Sequence, residues 1–316
     1  MTSWSSHSLS RLRFPVVTAF SVVLVLGALA SHVFAASTDW RSGLLAWRTA
    51  RAEGLSAPDG WLTLVALDWI EPGENSFGGA ADNRIQLSGA TAAHLGILQF
   101  SGNAVRLLPP RGGFPAAFRI DGQPAQPIVL TGNDMKPHEL TDGTLTCFVI
   151  HRGDRYALRV KDTQAPTRVH FRGLHWYAPN SHYRVEARWI PWVPAHQQKI
   201  PTIIGTTLDL PAPGLAEFTL DGKTLRLEPV LEAPGAKQLF FIVRDVTSHS
   251  TTYGAGRFLY AGFPDHGLQQ PGHIVLDFNR LQNPPCAYTP YATCPLPPEQ
   301  NRLAIALPVG EERYSH

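Results

Sequence analysis

Between residues 183 and 190 the chain alternates strictly. Tyr183, Val185, Ala187 and Trp189 fall on one side, and Arg184, Glu186 and Arg188 on the other. A period of two belongs to a strand with one face on a core and the other in water. Short apolar runs recur at close intervals on both sides of it: residues 84–87, 96–100, 104–108, 118–120 and 128–130 before, and 203–210, 215–220, 224–227 and 239–243 after. Gly, Asn, Asp and Pro separate them, with 27 glycines and 27 prolines in the chain. Close spacing with turn residues between runs is the pattern of antiparallel sheets closed into a sandwich or barrel. The fold expected is therefore all-β, mainly antiparallel, with one N-terminal amphipathic helix that follows a signal peptide.

The signal peptide is read from Arg11 and Arg13, the apolar run 14–30, and small residues ending at Ala35. That is the order of a secretory leader cut after Ala35. The run is short for a membrane span and holds Pro15. The expectation is an exported protein, periplasmic or secreted; the alternative is an uncleaved anchor. Losing residues 1–35 removes two arginines and no acid, so the formal charge of +2 falls to zero. A neutral chain has no global field to draw it to nucleic acid or to a membrane surface, and neither is expected as a partner after cleavage. The oligomeric state is left open.

The helix is expected over residues 37–53. Trp40, Leu44 and Trp47 recur at helical spacing, and Gly54 can close the last turn. Residues 60–70 turn to strand spacing. The run 144–151, the Arg152-Gly153-Asp154 turn and the run 155–161 form a hairpin. Tyr156, Leu158 and Val160 take its more buried face, and Arg155, Ala157 and Arg159 the other. Gln164-Ala165-Pro166-Thr167 is the seam between a first half, 36–164, and a second, 165–316. Asp221-Gly222 is a strong hairpin signal. Gly254-Ala255-Gly256 lacks the following lysine of a phosphate loop and reads as a turn.

Chemistry is sought near the C-terminus. In a strand over 274–279, Asp277 and Asn279 share one face, Arg280 and Asn283 follow, and Pro284-Pro285 force an extended exit. A second strand over 302–307 would bring Glu311 toward the same region. Carboxylates, amides and an arginine fork suit a polar ligand. Arg257, Asp277, Asn279 and Asn283 are the candidate ligand-binding residues, with Arg152 and Arg159. Asp277 and Glu311 are candidate catalytic groups, able to serve as acid and base. The plainer alternative pairs Arg257 with Asp277 across strands and uses Asn283 to pin the loop.

The nucleophile-elbow, HExxH and Walker patterns are absent. His170, His175 and His182 lack metal-ligand spacing, so neither a metal nor a cofactor is implied. Cys147 alternates with Leu145 and Val149 and reads as a core residue. Cys286 and Cys294 lie close together in a proline-stiffened loop. A disulfide is expected there, contributing about 2.5 kcal/mol in the chain-entropy account; two free thiols are the alternative.

Five segments carry a resemblance: GWLTLVALDWIEPGENSFG, RGDRYALRVKD, TTYGAGRFLY, LDFNRLQNPPCAYTPYATCPLPPEQNRLAI and the closing GEERY. With them the chain resembles the domain-of-unknown-function family sixteen-eighty-four. That family implies no activity. It marks Arg152, Arg159, Asp162, Arg257, Asp277, Asn279, Asn283, Cys286, Cys294 and Glu311 as positions matching its pattern. His249 stands where the pattern has glycine. The order FGG, DNRIQL, TAAH, IDGQP in the first half is similar to the forkhead-associated sandwich, without the arginine that such domains turn on phosphothreonine; the similarity concerns architecture alone.

The functional expectation is an exported β-rich protein binding a small polar molecule or glycan in its second half. A cell-envelope hydrolase built on Asp277 and Glu311, and a structural or interaction module presenting the proline-rich loop, are the alternatives.

Overall fold

The computed structural model describes residue 1 and residues 39–132 and 136–315. The expected leader and its Ala35 site lie outside the described residues. No helix among those described is long and apolar enough to cross a membrane. The chain divides after Trp47, and every sheet and the candidate site lie in residues 48–316.

The fold is mostly antiparallel β-sheet with one N-terminal helix. That helix covers residues 39–56, passing Gly54, where its end was expected. Ser56 Oγ donates back to Ala52 O at 3.1 Å within the last turn, and Pro58 stops the run because it has no N–H to give.

The first half builds two sheets. Leu64–Ile70 pairs with Arg155–Asp162, which pairs with Leu145–Arg152; Leu140–Asp142, Arg119–Ile120 and Gln123–Pro124 complete six strands. Gly73–Gly78 is the second strand of a five-stranded sheet that continues through Gly96–Ser101, Ala104–Leu108 and Ile128–Leu130. Phe77 pairs with Ile85 in a parallel step at its edge. Phe77, Leu98, Leu107, Phe118, Leu145, Leu158 and Val160 pack in a shared core. Cys147 lies in that core, and burial pushes its thiol up to about 12.

In the Arg152–Asp154 hairpin, Gly153 takes φ +64° at the turn, a conformation costly for other residues. Tyr156, Leu158 and Val160 are buried as expected, but Ala157 and Arg159 on the opposite face are buried too. Thr293 of the proline-rich loop and the Trp61 ring meet Arg159 on that opposite face.

The second half centres on two long strands, Arg184–Pro201 and Thr207–Leu220, joined by Lys223–Leu227 on one side and Gly272–Asp277 on the other. Ala187 and Trp189 are fully buried, while Arg184 and Arg188 of the same strand face solvent. The runs expected separately over 203–210 and 215–220 are one strand. Pro213 sits where the register shifts between Pro191 and His196, and Pro211 pairs with Gln197 beside it, so the prolines mark a bulge and not a break. Asp221 and Gly222 take φ of +50° and +73° in the expected hairpin. A two-stranded sheet, Leu239–Val243 with Arg257–Ala261, packs on the same core.

Two expectations near the C-terminus fail. The strand expected over 274–279 ends at Asp277, and Phe278–Arg280 is a 3-10 turn. Asp277 Oδ1 accepts from Asn279 N at 3.1 Å and caps that turn, so Asn279 does not continue the strand face. Residues 302–307 form no strand beyond one bridge, Arg244 with Arg302. Instead Asp245 Oδ1 accepts from Leu307 N at 3.0 Å, a side chain doing the work of a partner strand.

Candidate functional site

A cavity of about 460 Å³ is lined by residues from Arg51 to Pro295, within the range of small-molecule sites. One wall is polar. Leu145–Arg152 ends in His151 and Arg152, and the antiparallel register carries Arg159 back along the next strand. The helix adds Arg51, and the proline-rich loop adds Thr293 and Cys294. The facing wall is apolar: Leu55, Leu208, Leu210, Phe240 and Phe258, with the Tyr260 ring stacked on Phe240 at 4.9 Å between centroids.

The three arginines differ in what holds them. Arg51 is neutralised: its Nε donates to Glu311 Oε2 at 2.8 Å and its Nη2 to Asn283 O at 2.7 Å. Arg152 donates from Nε to Thr293 Oγ1 at 3.1 Å and from Nη1 to His151 O at 2.7 Å. Arg159 is 6 % exposed, reaches Thr293 Oγ1 only at 3.4 Å, and leaves its buried Nε without a partner. Its guanidinium lies 5.5 Å from the Trp61 ring centre. Among the described residues no carboxylate lies within ion-pair distance of Arg152 or Arg159. Desolvation, then the Arg152 charge, lowers the Arg159 guanidinium to about 10. A buried cation normally has an anion beside it, because losing hydration costs several kcal/mol per ion.

Among the described residues the acid on the cavity wall is Glu232. Desolvation raises its carboxyl above the ordinary glutamate range, against a hydrogen bond from Tyr260. Two guanidinium groups without counter-charge thus face one reluctant carboxylate. The arrangement can hold a carboxylate or phosphate in an arginine fork, with the apolar wall left for the rest of the molecule.

Of the residues singled out from sequence, Arg152, Arg159, Asn283 and Cys294 line this cavity. Arg257, Asp277, Asn279 and Asn283 do not form one pocket. Arg257 is 1 % exposed; its Nη2 donates to Asp245 Oδ2 at 2.9 Å and to Leu307 O at 3.0 Å. Its ion-pair partner is thus Asp245, and not Asp277 as the plainer reading had it. Asn279 exchanges hydrogen bonds with the Asn180 backbone, Nδ2 to O at 2.9 Å and N to Oδ1 at 2.8 Å. Asp277 caps the turn below it, with Arg280 Nε at 3.6 Å. Glu311 is held by Arg51, by the Tyr288 hydroxyl and by Asn283 Nδ2 at 2.9 Å. The two candidate catalytic carboxylates therefore serve different structural networks. Both cysteines of the loop are free thiols here, each backbone N–H directed at the other's sulfur: Cys286 N to Cys294 Sγ at 3.2 Å, and Cys294 N to Cys286 Sγ at 3.3 Å.

Arg51, Trp61, Glu232, Tyr260 and Thr293 were missed by sequence reasoning. For Arg51 a signal existed: Arg48, Arg51 and Leu55 recur at spacings of three and four, which places arginines on the stripe a helix turns inward.

A family model described as "Protein of unknown function (DUF1684)" matches residues 169–312. The chain belongs to the DUF1684 family. Within the DUF1684 segment lie Leu208, Leu210, Phe240 and Phe258 of the apolar wall, Glu232, the thiol pair and Glu311, while Arg51, Leu55, Arg152 and Arg159 precede it. An uncharacterised protein of Haloarcula marismortui, solved by solution NMR, is similar at 32 % identity over 46 % of this chain and 78 % of its own, with a TM-score of 0.39. No curated protein matches the chain.

Proposed function

We propose that this DUF1684 protein binds a small organic anion, a carboxylate or phosphate on an apolar body, in the cavity walled by Arg152 and Arg159. The observation that carries the reading is Arg159, a buried guanidinium with an orphan Nε and no carboxylate, at the edge of a cavity of ligand size. A neutral glycan would leave those charges uncompensated, which makes an anion the better occupant. The apolar wall supplies affinity through burial, at about 25 cal/mol per Å² of apolar surface covered.

Isothermal titration with inorganic phosphate, benzoate and octanoate tests this. Octanoate and benzoate should bind more tightly than phosphate, and a neutral amide of either should bind far more weakly. Equal affinity for acid and amide would remove the basis for the proposal. The cavity also works outside the cytoplasm on this reading, the leader being the supporting feature. Edman sequencing of exported protein should begin at Ala36, and an intact Met1 end would count against export by cleavage.

A further inference from the structure

The thiol pair at the cavity wall does not enter the anion-binding reading. Cys294 lines the cavity beside Thr293, the residue on which Arg152 and Arg159 converge. Cys286 is half-buried and is not among the residues lining the cavity, and the reciprocal N–H to sulfur bonds bring the two side chains together. Backbone N–H groups aimed at sulfur stabilise a thiolate, as do nearby guanidinium groups. We propose that the protein is a dithiol–disulfide exchange catalyst or sensor whose substrate is a carboxylate-bearing, low-molecular-weight disulfide, oriented by Arg152 and Arg159 against the Cys294 sulfur. The proposal rests on the anion-binding reading and names the substrate class for the same site.

The hydrogen bond from Cys294 lowers the Cys286 thiol, with desolvation opposing and Arg159 adding to the lowering, while the same hydrogen bond and desolvation raise Cys294. The first proton therefore leaves Cys286, and Cys294 attacks after passing its own proton to the Cys286 sulfur. Interacting thiols lose their first proton as a pair, so one thiolate and one thiol are available, with the hydrogen passed between the sulfurs. Placement decides that Cys294 meets the substrate, since it is the sulfur on the cavity wall. The Cys294 thiolate attacks one sulfur of the substrate. The substrate S–S bond breaks, a mixed disulfide forms and one substrate thiolate leaves. That thiolate takes the proton of Cys286. The Cys286 thiolate then attacks the Cys294 sulfur, the second substrate thiolate leaves, and the Cys286–Cys294 bond closes. The protein gives up two electrons and the substrate disulfide accepts them. The disulfide expected from the sequence is on this account one state of a working pair and not a permanent staple.

The test uses reduced full-length protein with three probes: glutathione disulfide, which carries carboxylates, bis(2-hydroxyethyl) disulfide, which is neutral, and cystamine, which is cationic. Oxidation by the anionic probe should exceed that by the neutral probe by at least about tenfold, the lower end of electrostatic steering, and cystamine should be slowest. Arg152→Gln with Arg159→Gln should erase the ordering while both thiols stay reactive. The lysine pair at these positions should restore part of it, which separates charge from folding. Cys286→Ser should trap a mixed disulfide on Cys294, seen by peptide mass spectrometry. Equal rates for all three probes, or an adduct confined to Cys286 in a Cys294→Ser protein with none on Cys294 in its counterpart, would overturn the proposal. Retained octanoate binding with unreactive thiols would sink the exchange chemistry alone. Thiols that react without any preference, in a protein that binds no anion, would sink both readings.

Discussion

Replacing Arg159 with methionine should make the protein more stable and unable to hold its ligand. The guanidinium falls from its ordinary 12.5 to about 10 in the fold, mainly through desolvation. At 1.36 kcal/mol per unit, keeping the charge there costs about 3 kcal/mol. The sign follows from the direction. A base whose folded pKa is lowered destabilises the fold fully below about 10, and the penalty is relieved as pH rises from 10 toward 12.5. Methionine keeps the stem's packing and carries no charge. It gives up the ring contact with Trp61, about 1 kcal/mol, and a 3.4 Å bond to Thr293 that is too long to contribute much. The net gain is about 2 kcal/mol, or a rise in Tm of roughly 4–8 °C for a domain of this size. Circular dichroism melts of wild type and Arg159→Met measure it. Arg155→Met is the control, since Arg155 is exposed and stacks on Trp69 at 3.7 Å; that change should not raise Tm. Calorimetry on the same proteins should show octanoate affinity falling on the order of a hundredfold, the equivalent of about 3 kcal/mol. A lowered Tm in a well-folded Arg159→Met protein, or unchanged octanoate affinity, would refute the reasoning that this charge is kept for a ligand.

Octanoate affinity should hold through neutral pH and fall about tenfold per unit above about 10, because the anion binds the protonated Arg159; on the acid side it should rise as Glu232 takes its proton at a raised pKa and stops repelling the ligand, all measurable by titration calorimetry across pH. Asp245→Asn should cost about 3–5 kcal/mol in urea unfolding, since it leaves Arg257 charged in a dry site and weakens the bonds to Thr247 and Leu307; a loss under 1 kcal/mol would show that Arg257 is not held by this pair. Glu311→Gln should destabilise by about 3 kcal/mol and, in the folded fraction at low temperature, raise phosphate affinity by freeing Arg51 at the cavity wall.

Glycine carries part of the same network. Gly310 takes φ +82°, and a Cβ there would lie 2.7 Å from Leu281 O, the carbonyl to which Glu311 N donates at 2.8 Å. The close approach seats Glu311 in its buried niche among Arg51, Tyr288 and Asn283, so GEERY in the resemblance is a positioning device as well as a label.

Period-two spacing, turn residues and hairpin dipeptides act over a few residues, and they determined the β class, the alternation at 183–190 and the Asp221-Gly222 turn without help from the rest of the chain. Arg152 and Arg159 stood out through the family resemblance, on a hairpin whose register is set by two adjacent strands. What lay opposite those arginines was decided by tertiary structure alone. Leu208, Glu232, Phe240 and Cys294 come from four separate stretches, and no spacing along a chain states which of them will meet. Charge partners are assigned the same way: Arg257 took Asp245 and Glu311 took Arg51, leaving Arg159 with none among the described residues. Local geometry chooses the strand, because it is a matter of neighbouring dihedrals; desolvation chooses the site, because a side chain loses its water only when distant segments close over it.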